Sequence, residues 1–104
     1  MPIIRAHSGL VTQINVFTVP PGGQDALVAH LAASAEIARD VDGWVSASLH
    51  RSLDGTRVVN YAQSDSPEAA RRVIDRLAAA GRLDHRGLGT PSPGLYEVVF
   101  TLER

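Results

Sequence analysis

An α+β fold with one antiparallel sheet and two helices is what the sequence predicts, and three observations predict it. Runs rich in β-branched residues alternate with two amphipathic stretches in the order β-α-β-β-α-β. An Asp-Gly dipeptide, Asp54-Gly55, separates two of the strand-like runs, and Ser66-Pro67-Glu68 has the chemistry of a helix start. A chain of 104 residues has room for one hydrophobic core, so residues 1–104 are expected to form a single domain with residues 1–9 as an N-terminal arm.

The first strand is read from Leu10 to Val19, where alternation puts Ile14 and Val16 on one face and Gln13, Asn15 and Phe17 on the other. Pro20-Pro21-Gly22-Gly23 breaks it. Leu27, Leu31, Ser34 with Ala35, Ala38 and Val41 then recur at helical spacing, and Asp42-Gly43 ends that helix. Trp44 to Ser52 and Arg57 to Ser64 read as strands joined through Leu53-Asp54-Gly55-Thr56, a sequence that favours a type I′ turn. Such a turn sets Leu49 opposite Asn60, Ala47 opposite Ala62 and Val45 opposite Ser64 on one face, and leaves Ser46, Ser48, His50, Val59, Tyr61 and Gln63 on the other. Ser66 as N-cap, Pro67 at the first helical position and Glu68 in the first turn open a second helix to about Ala80, with Ala70, Val73, Ile74 and Leu77 as its buried stripe. Gly81 stops it, a Pro- and Gly-containing loop follows to Gly94, and Leu95 to Leu102 is expected to be the last strand.

That order is the split βαβ, or ferredoxin-like, topology, with both helices on one face of the sheet. The other face is expected to be uncovered and to carry Phe17, Val45, Leu49, Val58 and Ala62. Water seldom tolerates so large an apolar patch, so a face-to-face homodimer is expected to cover it.

Composition narrows the function. There is no cysteine, which removes disulfides, thiolate metal sites and a cysteine nucleophile. A net charge of −1 with interspersed signs gives no footprint for nucleic acid, and no apolar run is long enough to span a membrane. The opening Met1-Pro2-Ile3-Ile4-Arg5-Ala6-His7 lacks the pattern of a secretion signal, so a cytoplasmic location is expected.

Gln13 and Asn15 from the first strand and Asn60 and Ser64 from the third share a face with apolar residues, the usual makeup of a small-molecule chamber. An amide such as Asn60 can donate to a developing oxyanion without bringing charge into an apolar space; alternatively it satisfies backbone or subunit contacts. His7, His30, His50 and His85 are scattered over arm, helix, strand and loop, so no metal is expected. His50 is expected on the helix side of the hairpin and away from the chamber. His85, in Gly81-Arg82-Leu83-Asp84-His85-Arg86-Gly87, lies in a loop able to close over the chamber mouth, or simply to remain solvated. No nucleophile elbow, phosphate loop or dinucleotide fingerprint is present.

The hairpin GWVSASLHRSLDGTRVVNYAQ, Gly43 to Gln63, resembles that of antibiotic biosynthesis monooxygenase domains, and IIRAHSGLVTQINVFTVPPG and LYEVVF are similar to the opening and closing segments of that family. The resemblance implies a dimeric α+β barrel that oxidises an aromatic polyketide or quinol-type metabolite, such as an anthrone, with dioxygen and without metal, flavin or haem. It implies that Asn60 stabilises an oxyanion and that an arginine beyond the second helix, Arg82 or Arg86, binds substrate; Arg82 or His85 is expected to assist Asn60, and Gln13, Asn15, Phe17, Val45, Leu49, Ala62 and Ser64 are expected to line the substrate chamber. In the family the third strand ends Asn-Tyr-Ala-Gln-Trp; here Asn60, Tyr61, Ala62 and Gln63 match and Ser64 stands at the Trp position. Leu49 and Ala70 fall where some members carry tyrosines. The loss of these rings leaves open a non-oxidative cyclase or isomerase, or a dimer that binds a hydrophobic ligand without turning it over.

Overall fold

The computed structural model describes residues 1–104. Its elements follow the expected order: β1 (Val11–Thr18), α1 (Gln24–Ala38), β2 (Trp44–Arg51), β3 (Arg57–Ser64), α2 (Pro67–Ala79) and β4 (Pro93–Tyr96). The strands form one antiparallel sheet in the order β2-β3-β1-β4, the ferredoxin-like arrangement.

Local chemistry fixes the ends of α2. Ser66 Oγ accepts the Ala69 N–H at 3.0 Å and Pro67 occupies the first turn. At the other end Arg82 N–H reaches the Leu77 carbonyl at 2.8 Å while Gly81 takes φ +71°, the 6→1 closure that glycine permits. The chain therefore reverses after Gly81, and this reversal brings residues 82–88 back against α1 and β1.

The core lies between the helices and one face of the sheet. Phe17, Leu27 and Val58 are wholly buried there with Val19 and Leu31, and Ala38, Val41 and Val73 form a second cluster beside Trp44 and Leu77. Burying side chains of this size contributes about 1.5–3 kcal/mol each, which makes this layer the main source of stability.

Five expectations are corrected. The face carrying Phe17, Leu49, Val58 and Ala62 is the helix-covered face, not the uncovered one; Phe17 pairs with Val58 across β1 and β3 at the centre of the core. His50 accordingly sits on the opposite face, where Ser48 Oγ lies 2.9 Å from its Nε2. Alternation sorts residues into two sets but does not say which set meets the helices, and here both sets mix apolar with polar residues.

Val45 leaves its expected face because a β-bulge interrupts the β2–β3 register: Ser46 pairs with Gln63 but Trp44 pairs with Ser64. Gly43 prepares the bulge. At φ +88° its missing Cβ would stand 2.5 Å from Ala69 Cβ, so only glycine lets β2 start this close to α2.

The hairpin turn is not type I′, since that form needs positive φ at both central residues and only Gly55, at +81°, has it. Ser52 and Asp54 hold the loop instead. The Gly55 N–H donates to the Ser52 carbonyl, and Asp54 Oδ1 accepts from Ser52 Oγ, Thr56 N–H and Thr56 Oγ1. Those hydrogen bonds lower the Asp54 carboxyl to about 2. The register from Ser46–Gln63 to Arg51–Val58 is nonetheless the expected one.

β4 ends at Tyr96 rather than Leu102. Tyr96 already pairs with Thr12, at the beginning of β1, so the following residues run past the sheet with no strand to join. Val99, Phe100 and Leu102 are exposed there.

Candidate active site

β1 and β3 bring three amides to the helix-covered face. Asn15 pairs with Asn60, and Gln13 with Ala62. The Asn15 Oδ1 accepts the Ser92 N–H at 3.0 Å and so anchors the segment before β4. The Asn60 side chain instead faces open space, lining two adjoining cavities of about 60 and about 30 Å³ together with Gln13, Leu31, Ser34 and Leu77.

The two cavities differ in their end walls. Trp44, Ala47 and Ala62 close the smaller, and Phe17, Arg82 and His85 close the larger. Asn60 thus lies between an indole and an imidazole in a chamber whose apolar walls are interrupted by Gln13, Ser34 and Arg82. A pocket for a drug-sized ligand holds about 300–1,000 Å³, so this chamber is narrow, and a fused-ring ligand fits only if a wall moves.

The wall with no regular secondary structure is the segment after α2, held to α1 by polar contacts. Arg82 Nε donates to Ser34 Oγ at 3.0 Å, and its Nη2 donates to the His30 carbonyl at 2.6 Å and lies 3.2 Å from His30 Nδ1. His85 Nδ1 is 3.3 Å from His30 Nε2, and the His85 ring meets Phe17 edge to face at 4.9 Å. Burial, then the Arg82 charge, hold His30 below its usual 6.5. Burial, then the His30 ring, do the same for His85.

Of the residues singled out from the sequence, Gln13, Asn15, Phe17, Asn60, Ala62, Arg82 and His85 line this chamber. Leu49 packs against the core beside Phe17 and Val58, and Ser64 is buried opposite Trp44. Arg86 is exposed, its backbone bonded to Asp84, which leaves Arg82 as the arginine at the chamber. Val45 lies outside, lining a hollow of about 370 Å³ under the arm with Ile3, Leu10 and Gln63. An open groove of about 390 Å³ beside Pro67 and Arg71 has no apolar wall. The hollow under the arm does mix apolar walls with Arg5, Ser8, Ser46 and Gln63, but it includes none of Asn60, Arg82 and His85.

Sequence reasoning missed Trp44, Ser34 and His30. The bulge that turns Trp44 inward leaves no mark in alternation. His30 and Ser34 were legible as neighbours one turn apart, adjoining Leu27 and Leu31 on the buried side of α1.

Chemically, the chamber can take an uncharged aromatic and stabilise negative charge on one of its oxygens. It offers two amides without a partner in the protein, Asn60 and Gln13, and, at its mouth, a guanidinium and an imidazole. Ser34 is no nucleophile, because its hydroxyl is engaged between Arg82 and the His30 carbonyl. No group of three or more His, Cys, Asp or Glu side chains is placed to hold a metal ion. No helix is long and apolar enough to cross a membrane.

The sequence pattern described as antibiotic biosynthesis monooxygenase matches residues 10–73. The chain is 37% identical over 103 residues to the tetracenomycin-F1 monooxygenase of Streptomyces glaucescens, covering 97% of this chain and 92% of that one. Among solved structures it superposes with TM-score 0.75 and 30% identity on a mutant of SnoaB, a cofactor-independent oxygenase from Streptomyces nogalater, over 92% of this chain and 99% of that one. It also superposes with TM-score 0.76 and 31% identity on the ActVA-Orf6 monooxygenase of Streptomyces coelicolor bound to nanaomycin D, covering 90% and 91% of the two chains.

Proposed function

The chain belongs to the antibiotic biosynthesis monooxygenase family, and from that premise we propose that it oxidises a polycyclic aromatic, polyketide- or quinol-type metabolite with dioxygen, without a cofactor, in the chamber between sheet and helices. The observation that carries the reading is Asn60, an amide without a partner in the protein that faces a cavity between Trp44 and His85.

The stoichiometry suits the site. Converting the central methylene of an anthrone to a carbonyl removes four electrons, and dioxygen accepts four: one oxygen atom becomes the carbonyl and the other leaves as water. No outside reductant enters. The protein's task is to stabilise the electron-rich anion that reacts with dioxygen, and in this reading Asn60 donates to its oxygen while Arg82 and His85 add positive potential at the mouth. Gln13, Asn15, Phe17 and Ala62 shape the chamber around the rings, with Trp44 taking the wall that Ser64 is too small to form.

The working unit in this reading is a cytoplasmic homodimer of a single-domain chain. Val99, Phe100 and Leu102, 63%, 73% and 84% exposed beyond β4, supply apolar surface for a second copy. Light scattering is expected to give twice the chain mass.

Oxygen uptake with dithranol, a simple anthrone, tests the reaction. We expect uptake without added cofactor, and an Asn60→Ala variant slower by about 10²-fold. Ser64 and the small volume favour the second reading, a non-oxidative or purely binding pocket. Product formation or tight binding without oxygen uptake identifies it.

A further inference from the structure

We propose that His30, which does not line the chamber, is a positioning residue that fixes His85 in its Nε2–H form, so that His85 offers a hydrogen-bond donor to the anionic oxygen of the ligand. The inference deepens the oxygenase reading and rests on it for the identity of that oxygen.

Proton positions follow from the partners. A guanidinium only donates. Arg82 Nη2 carries two hydrogens and has two acceptors within reach, the His30 carbonyl at 2.6 Å and His30 Nδ1 at 3.2 Å, while Nε is committed to Ser34 Oγ at 3.0 Å. Nδ1 of His30 is therefore bare, and the neutral ring carries its proton on Nε2. That N–H stands 3.3 Å from His85 Nδ1, which must accept it. His85 is left with its proton on Nε2, the one ring nitrogen not committed to a protein partner, in a side chain that lines the cavity with Asn60. The rings cross at 88°, and the opposite edge contact of His85 on Phe17, at 84°, holds its plane.

The surroundings of both rings favour the neutral form. Burial and the Arg82 charge disfavour the charged form of His30, against a smaller opposing effect of the Arg82 backbone, and burial and His30 disfavour that of His85; Arg86 adds to the shift at His30 and the Arg82 charge to that at His85, while Asp84 opposes the shift at both. The result is a one-way chain, Arg82 to His30 to His85, polarised by the guanidinium at its head. A histidine so arranged acts as a donor and is not available as a base.

Nitrogen NMR of histidine-labelled protein above pH 7 reads the tautomer directly, with or without substrate. We expect the His85 signals of the wild type to be those of the Nε2–H form. In His30→Phe, which keeps an aromatic ring but neither nitrogen, they should move toward the tautomeric average. That variant should lose about tenfold in kcat for dithranol oxidation with KM changed by less than about threefold, and His30→Gln, which can accept and donate at similar positions, should recover most of the loss. A wild-type His85 protonated on Nδ1 overturns the proposal whether or not any variant folds. So does a His85 spectrum unmoved in folded His30→Phe. The expected tautomer in a protein that takes up no oxygen supports the positioning role and overturns the oxygenase reading instead.

Discussion

Asn60 and Gln63 are amides three residues apart on β3, and they have opposite surroundings. Gln63, 1% exposed on the face away from the helices, donates from Nε2 to the Ile3 carbonyl at 2.9 Å and accepts from Ser46 Oγ at 2.6 Å, so it ties the N-terminal arm to the sheet. Asn60, on the helix-covered face, is surrounded by Leu31, Leu77 and Ala62 and opens on empty volume. A buried polar group whose bonds are all made inside the chain stabilises the fold; one that faces an apolar cavity is available to something that enters it. The same side-chain chemistry is structural on one face and functional on the other.

The largest effect should come from the layer that supports the functional face. Phe17→Ala removes a wholly buried ring from the core and from the edge contact with His85, and should cost about 3–5 kcal/mol in chemical denaturation. Asn60→Ala should separate activity from stability. Oxygen consumption should fall by about 10²-fold, while the denaturation midpoint stays near wild type because no internal hydrogen bond is lost. Gln63→Leu should do the reverse, losing about 1–3 kcal/mol through the stranded Ser46 hydroxyl and Ile3 carbonyl with turnover retained.

The smallest effect is the one pH reveals. His30 and His85 have folded pKa values below 6.5, so the unfolded chain binds more protons than the native one as pH falls through that value. Their contribution to stability is complete above about 6.5 and is lost progressively below it. Melting temperature should therefore drop between pH 7 and pH 5, and drop less in His30→Phe.

Much of this was legible in the residues. Ser66-Pro67-Glu68 and Gly81 bound a helix through capping chemistry that needs no tertiary partner, and Asp54-Gly55 fixed the pairing of Leu49 with Asn60 even though the turn differs in type. Which face met the helices was not legible, because Ile14, Val16 and Val59 are as apolar as Phe17, Val58 and Ala62; packing decided it. Val45 was misplaced because a bulge is set by the close approach of Gly43 to Ala69, a contact between elements distant in sequence. His30 was given no role for the same reason: that role exists only once the reversal at Gly81 returns Arg82 and His85 to α1.

The comparison of the two amides is tested most directly by oxygen uptake with dithranol for wild type, Asn60→Ala and Gln63→Leu, each confirmed folded at the assay temperature. The account predicts uptake by wild type and Gln63→Leu and its near loss in Asn60→Ala. Uptake unchanged in Asn60→Ala, or abolished in folded Gln63→Leu, would place the chemistry on the other face of the sheet and contradict it.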